Sequence, residues 1–379
     1  MLQVLETYGL LIMVLVEFKF KMAIQKISGV TIDLVSQAAG DVAYYDSEVN
    51  SWVRLAKGEA GEVLTMNETE TAPQWGPAPP TWVPQGILRG YSSGGNNGGW
   101  SVGYRYERID TYSFTTDANA TDWGDLVRDT YMMSGTASAT HGYVMRGEFA
   151  TQNYVDTIQK FSMAANADAT NVGDCSEAHT QGTGHSSGVN GYCCYVVGWP
   201  ITANRVDRIP FATDTNATDV GDVNINSTTW GGISSETHGY YSTDSSAPNG
   251  ALSGNINRFA FANEATAADV GEMIVVVDHC GGSMSETHGY FSGGHGPSNQ
   301  IQKFSFATLG NATDVGDLLH TGHTPACSSS TTHNYNAGGW MGEQNPSNQI
   351  NKWTTAQDNN ATDVGDLWAV NYGCVGAQV

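Results

Sequence analysis

Six copies of one unit of roughly 48 residues run from about Ile87 to Val379, and their spacing limits the possible folds more than any single residue does. The glycine of an Ala-Thr-Asp-Val-Gly-Asp motif recurs at Gly124, Gly173, Gly221, Gly271, Gly316 and Gly365. A Gly-Tyr pair, in most copies His-Gly-Tyr, ends 19 residues later at Tyr143, Tyr192, Tyr240, Tyr290 and, as Asn-Tyr, at Tyr335. An Ile or Val (Ile109, Ile158, Val206, Ile256, Ile301, Ile350) precedes each motif glycine by 15. All length variation falls between the tyrosine and that Ile/Val, a span of 18, 15, 14, 16, 11 and 15 residues. A fixed framework with one variable loop per unit marks a repeat array whose loops share a face.

The two ends of the array complement each other. After Gly365 only 14 residues remain, five short of the next Gly-Tyr, and the missing tyrosine stands at the other end as Gly90-Tyr91. Counting back 19 from Tyr91 sets Val379 level with Gly86. An open solenoid needs atypical capping units, whereas here the first unit completes the last. The expected fold is therefore all-β, a six-bladed β-propeller closed by N- and C-terminal strands over residues 87–379. The spacing alone leaves three or four strands per blade open.

A different module precedes the repeats. Gly40–Tyr45 reads as a strand, Asp46–Asn50 as a turn, Ser51–Leu55 as the return strand, and Glu62–Met66 as a further strand after a second turn. Residues 22–71 hold too thin an apolar face for a core of their own, so this module is expected to self-associate or dock on a larger body. Residues 72–86, rich in proline, read as a stiff linker. Residues 1–21 carry an apolar run too short to span a bilayer, with Glu6 and no basic residue before it, and read as an extension or start-site artefact rather than a signal.

Two stretches resemble known proteins. Gly40-Asp-Val-Ala-Tyr-Tyr-Asp46, Ser51-Trp-Val-Arg-Leu-Ala-Lys-Gly-Glu-Ala-Gly-Glu-Val-Leu-Thr-Met-Asn67 and Ala72-Pro-Gln-Trp75 resemble a segment of tailed-bacteriophage tail-fibre and other virion structural proteins. The repeats, with Thr-His-Gly-Tyr, Ile-Gln-Lys-Phe-Ser-Phe-Ala-Thr and Asn-Ala-Thr-Asp-Val-Gly-Asp-Leu, resemble kelch-like units of marine and cyanobacterial phage virion proteins. The resemblance implies a β-rich attachment module, virion localisation after assembly in the host cytoplasm, and homo-oligomerisation, with a trimer as the tail-fibre expectation. Asn190 and Asn334 depart from the repeat pattern.

Within each unit the Ile-x-Lys-Phe segment reads as a strand with Ile and aromatic on opposite faces, so both faces must be covered. The aromatic position is Tyr112, Phe161, Phe259, Phe304 and Trp353, with Ile209 in the third unit. The cation at Lys160, Arg208, Arg258, Lys303 and Lys352 is expected to lay its stem on the sheet and keep its charge in water. Asp219/Asp222 and Asp314/Asp317 read as closing turns through backbone N–H groups, with Ca²⁺ the alternative; the dense oxygen run of a calcium loop is missing. Asn119, Asn216, Asn311 and Asn360 head Asn-Ala-Thr sequons, which the same turn explains. His141, His238, His288 and His333 recur once per unit and are expected to bond between strands, since catalysis needs one histidine and not four. Cys280, Cys327 and Cys374, spaced 47 apart, read as buried thiols, with an axial thiol or metal site the alternative.

No nucleophile triad, paired metal-ligand helix or phosphate loop appears, so no enzyme, cofactor or metal is expected. Tyr192-Cys193-Cys194-Tyr195 sets thiol beside phenol as in copper-radical propellers, but no His pair and tyrosine accompany it. A formal charge of −22 excludes nucleic acid and anionic membrane surfaces as partners. Aromatics in the variable loops, Trp100, Tyr104, Tyr106, Tyr154, Trp199 and Trp340, stand among Gly and Asn and suit stacking on sugar rings. The expected function is a tail fibre or tail-associated adhesin whose propeller contacts a host receptor or glycan. A capsid head-fibre or decoration protein and a polysaccharide-degrading propeller are the alternatives.

Overall fold

The computed structural model describes residues 5–7, 10–12, 39–47, 49–59, 62–66, 72–77, 84–98, 104–150, 153–197, 203–224, 229–243, 254–264, 266–296, 298–341 and 345–379. The chain divides into two compact units, Met1–Thr81 and Trp82–Val379. The described residues are all-β, without helix.

In the first unit Val42–Asp46 pairs antiparallel with Ser51–Leu55, as the sequence predicts. Val42, Tyr44 and Trp52 are its buried apolar residues. Arg54 Nε donates to Asp41 Oδ2 at 2.6 Å. Glu62–Met66 pairs with Pro73–Pro77, which corrects the linker boundary: the first part of the proline-rich segment is a strand. Proline lacks the ladder N–H, yet Pro73 and Pro77 occupy the two ends of an edge strand, where its absence is tolerated. The Trp75 indole N–H donates to the Ala56 carbonyl and ties this hairpin to the end of the other. Leu5–Thr7 and Leu10–Ile12 pair as a short hairpin.

The second unit contains six four-stranded antiparallel sheets. Sheet I joins Val375–Gln378 to Arg89–Ser93, Arg108–Ser113 and Thr121–Asp125; sheet II is Ser134–Ala137, His141–Ala150, Asn153–Ser162 and Thr170–Asp174. Sheet III is Thr183–Ser186, Asn190–Val197, Ala203–Pro210 and Thr218–Gly221; sheet IV is Thr229–Ser234, His238–Thr243, Asn255–Ala260 and Ala268–Glu272. Sheet V is Gly281–Met284, His288–Ser292, Gln300–Ser305 and Thr313–Asp317; sheet VI is Ala326–Ser329, His333–Ala337, Gln349–Thr354 and Thr362–Asp366. The strand order in each is sequential, except that the first strand of sheet I comes from the C-terminus. Val375 faces Ser93 and Gln378 faces Gly90 in that pairing, and the Val379 carbonyl accepts from the N–H groups of Ile87, Leu88 and Arg89. The predicted meeting of the two extremities in one sheet is thus present.

Six apolar clusters account for the core, one between each pair of consecutive sheets. Each joins the motif Tyr and the Ile/Val of one sheet to the third-strand aromatic position of the next. Tyr91 and Ile109 meet Phe161; Tyr143 and Ile158 meet Ile209; Tyr192 and Val206 meet Phe259. Tyr240 and Ile256 meet Phe304; Tyr290 and Ile301 meet Trp353; Tyr335 and Ile350 of sheet VI meet Tyr112 of sheet I. This is why both faces of the third strand are apolar: Ile/Val faces the following sheet and the aromatic the preceding one. Burying one such ring contributes about 2–3 kcal/mol per junction.

Polar contacts repeat at the same junctions. Each Ala of the Asn-Ala-Thr motif, or its equivalent, donates its N–H to the carbonyl ending the fourth strand of the preceding sheet: Ala169 to Asp125, Ala217 to Asp174, Ala267 to Asp222, Ala312 to Glu272, Ala361 to Asp317 and Ala120 to Asp366. The sequon asparagines accept there too, Asn216 from Asp174 N, Asn311 from Glu272 N, Asn360 from Asp317 N and Asn119 from Asp366 N, at 3.1–3.2 Å. Asp314 Oδ1 accepts from Gly316 N at 3.2 Å, the turn-closing role predicted for it.

Two side-chain expectations need correction. The repeated cation does not simply face water; it pairs with a carboxylate of the next sheet. Lys160–Asp214 is 2.7 Å and Arg208–Glu264 2.9 Å, with Lys303–Asp358 and Lys352–Asp117 as equivalents. For Arg258 the equivalent sequence position is Leu309, which carries no carboxylate. The motif imidazoles also do not bridge strands: His141 Nδ1 lies 2.8 Å from the Thr140 hydroxyl, and His238, His288 and His333 repeat the contact with their preceding threonines. A turn serine already satisfies the backbone, with Ser138 Oγ accepting from His141 N at 3.0 Å.

Candidate ligand-binding face

In a sheet of four sequential antiparallel strands, the 2–3 connection and the exit from strand four share one end, and the 1–2 and 3–4 turns share the other. The second end is uniform here, built from the same serine-closed turn in sheets II to VI. The first end carries every segment of variable length. Chemistry that differs from unit to unit therefore concentrates at one end.

The first strands of all six sheets line a cavity of about 120 Å³. The close-packed position in these strands is held by Gly135, Gly184, Gly232, Gly282 and Gly376, with Cys327 in sheet VI. A Cβ on Gly184 would stand 1.8 Å from the Gly135 carbonyl oxygen, and one on Gly376 1.8 Å from that of Cys327. Only glycine lets neighbouring backbones come so close.

At the variable end of this cavity, Met132, Gln181, His279, Thr324 and Gly373 occupy equivalent positions, each eight residues after its motif glycine, and these five and Gly231 of sheet IV are all left-handed with φ of 53–65°. Several are chained through the backbone: Gln181 N donates to Met132 O, Met132 N to Gly373 O, Gly373 N to Thr324 O and Thr324 N to His279 O. Aromatic side chains form a rim at this end, with Trp340 half-buried and Trp230, Tyr372 and Tyr131 buried. Trp230 stacks on His279 at 3.7 Å, Trp340 lies edge-on to Tyr372 at 4.8 Å and parallel to His323 at 6.3 Å, and Tyr372 is 6.3 Å from Tyr131. Arg105 lies over Tyr131 at 4.8 Å, and its Nη2 donates to Glu148 Oε1 at 2.9 Å. The Tyr131 phenol donates to Glu148 Oε2; burial first, then that carboxylate, pushes its pKa up to about 12.

Of the residues the sequence nominates, Trp340 is on this rim. The loop bearing Tyr104 and Tyr106 reaches Trp340 through Gly98, where a Cβ would lie 3.5 Å from the indole. Tyr104 is 46% exposed, while Tyr106 packs edge-on against Trp368 at 5.8 Å. Tyr154, 40% exposed, stands apart beside His179 at 5.4 Å. Trp100 and Trp199 lie outside the described residues. Sequence reasoning missed Tyr131, Trp230, His279, His323 and Tyr372. They sit in the stretch between motif Gly and motif Tyr, whose constant length of 19 reads as framework; the available signal was residue type changing at fixed positions.

None of the six cysteines is joined in a disulfide. Cys280, Cys327 and Cys374 do border the axial cavity. Burial pushes Cys327 far up and Cys374 to about 11, so both are protonated thiols at neutral pH, poor as nucleophiles and as ligands. Cys193 is buried against Ser134 Oγ at 3.2 Å and the Arg146 guanidinium, which itself lies 3.4 Å from the Tyr195 ring centroid. No protein-family model matches the chain, and no curated protein matches it either.

Proposed function

We propose that this chain is a non-enzymatic binding protein, a six-bladed propeller closed by its own termini that offers its variable end to a host-surface ligand. The closed ring is supported by the sheet VI–sheet I junction, which repeats the apolar cluster, the alanine N–H bond and the asparagine bond of the other junctions. The observation that carries the binding role is the aromatic group at the variable end of the sheets, half-buried Trp340 packed on buried Tyr372 and Tyr131, beside a cavity of about 120 Å³. Pockets that engulf a small-molecule substrate run to about 300–1,000 Å³. A ligand would thus rest on this end rather than enter the cavity, and half-buried Trp340 and exposed Tyr104 are the aromatic faces there that suit the apolar faces of sugars.

In this reading the protein is a tail fibre or tail-associated adhesin of a bacteriophage. Residues 23–76 attach it to other virion proteins, a role supported by their resemblance to virion segments and by hairpins with few buried apolar residues. Immunogold labelling of particles, combined with adsorption of the purified protein to host cells, tests the proposal. Tail labelling with saturable adsorption is expected. Trp340→Ala should weaken adsorption about tenfold, the equivalent of about 1.4 kcal/mol. Capsid labelling without adsorption would replace the adhesin with a decoration protein, and release of reducing sugar from host envelope glycan would replace it with a hydrolase.

A further inference from the structure

Three imidazoles that belong to no repeat motif converge on the sheet V–sheet VI side of the rim. His279 lies in the chain entering sheet V, His295 in the loop between its second and third strands, and His323 in the chain leaving it. Their ring centroids are 6.3 Å (His279–His295), 5.6 Å (His279–His323) and 5.3 Å (His295–His323) apart. Three imidazoles on one tetrahedral Zn²⁺, with Zn–N of about 2.0–2.1 Å, have centroids roughly 5 Å apart. The cluster is within about 1 Å of that spacing.

A carboxylate stands behind it. Asp278 Oδ2 is 3.3 Å from His279 Nδ1, and Asp278 Oδ1 is 3.3 Å from His295 Nδ1. His323 Nδ1 faces the Thr324 hydroxyl at 3.4 Å. In each ring Nδ1 is thus next to an oxygen and Nε2 is left for another partner, the arrangement by which outer-shell carboxylates orient metal-ligating histidines. The backbone holds the three loops together: His295 N donates to Asp278 O at 2.8 Å and Thr324 N to His279 O at 2.7 Å.

We propose that His279, His295 and His323 form a site for a borderline divalent transition cation such as Zn²⁺, Co²⁺ or Ni²⁺, oriented by Asp278. As the side chains are placed, no group of three or more His, Cys, Asp or Glu among the described residues could hold a metal ion. Binding therefore requires the rings to turn toward a common point, and His295, 68% exposed, is the ring with the most room to do so. Three nitrogens leave the fourth position to water or to an oxygen of a bound ligand.

Equilibrium dialysis of the purified full-length chain against micromolar ZnCl₂, with the bound metal read by mass spectrometry, tests the proposal. One Zn²⁺ per chain is expected, and Co²⁺ in its place should give the visible bands of a low-symmetry site. His295→Ala, at the most exposed ligand, should weaken uptake at least tenfold without disturbing the fold, and Asp278→Asn by about 10–100-fold. His288→Ala, at the opposite end of sheet V, should leave uptake unchanged. No retention by the wild-type chain, or equal retention by H295A, D278N and the wild type, overturns the assignment.

Discussion

Substituting one glycine at two junctions measures whether sheet VI is joined to sheet I as firmly as sheet II is to sheet III. Gly173 has φ of 159°, and a Cβ there would stand 2.5 Å from the Thr215 carbonyl oxygen. Gly365, at the VI–I junction, has φ of 153° and the same 2.5 Å approach to the Ala118 carbonyl oxygen. Alanine at either position carries the cost of a backbone conformation open almost only to glycine, about 1–3 kcal/mol. Pushing a backbone oxygen back by nearly 1 Å adds about 1–3 kcal/mol of overpacking. The expected loss is about 3–4 kcal/mol for each. With an unfolding entropy of about 2.1 cal/mol/K per residue over roughly 300 residues, that is about 5–6 °C in Tm. Gly310→Ala serves as the control: its φ of 96° is strained, but nothing lies within 4 Å of the new methyl, so only the first cost applies. Calorimetry and urea unfolding of the three variants give the comparison. If Gly365→Ala costs no more than Gly310→Ala while Gly173→Ala costs the full amount, the termini do not seal the array and the closed-ring argument fails.

Other expectations follow from single contacts. The Lys352–Asp117 pair is half exposed on its acidic side, so a double-mutant cycle should give about 0.2–1 kcal/mol, shrinking in high salt; a larger, salt-independent coupling would contradict the exposed geometry. His185 is fully buried, its Nδ1 lying 3.0 Å from the Ile233 carbonyl oxygen, and burial lowers its pKa from 6.5 to about 4. The unfolded chain then binds the extra proton, so this contribution is complete above pH 6.5 and is lost progressively as pH falls toward 4. The loss from this residue should reach about 2 kcal/mol at pH 5, seen as a steeper acid drop in urea midpoint for the wild type than for His185→Gln. Native protein should show less than one thiol per chain reacting with a disulfide reagent at pH 8, and all six after denaturation.

Much of the second unit was legible because its motifs are spaced by the pleat and by junctions that repeat in sequence. Ile301 and Phe304 are an odd number of residues apart, and an odd separation within a strand means opposite faces; two apolar faces then require two covering neighbours. The complementary ends, Gly90-Tyr91 and the last 14 residues, likewise announced a shared sheet. Partners were less legible, since a partner is a matter of which sheet comes next and not of chain position. Lys160 gives no sign in its own segment that Asp214, 54 residues later, will receive its ammonium group. The thin module before the repeats reads as strands, as found, but Pro73–Pro77 reads as a spacer because a proline-rich segment gives no local sign of its pairing with Glu62–Met66.

The candidate face divides in the same way. Sequence alone fixed that variation is confined to one segment per unit, and from that followed which end of the sheets carries it, together with Trp340 as one of its aromatics. It could not assemble Trp230, His279, His323 and Tyr372 beside Trp340, nor the Asp278 carboxylate behind two imidazoles. Those residues come from separate units and share a place only because six first strands converge on one cavity. Local spacing encodes each strand's faces; the packing of sheet on sheet decides which distant side chains become neighbours.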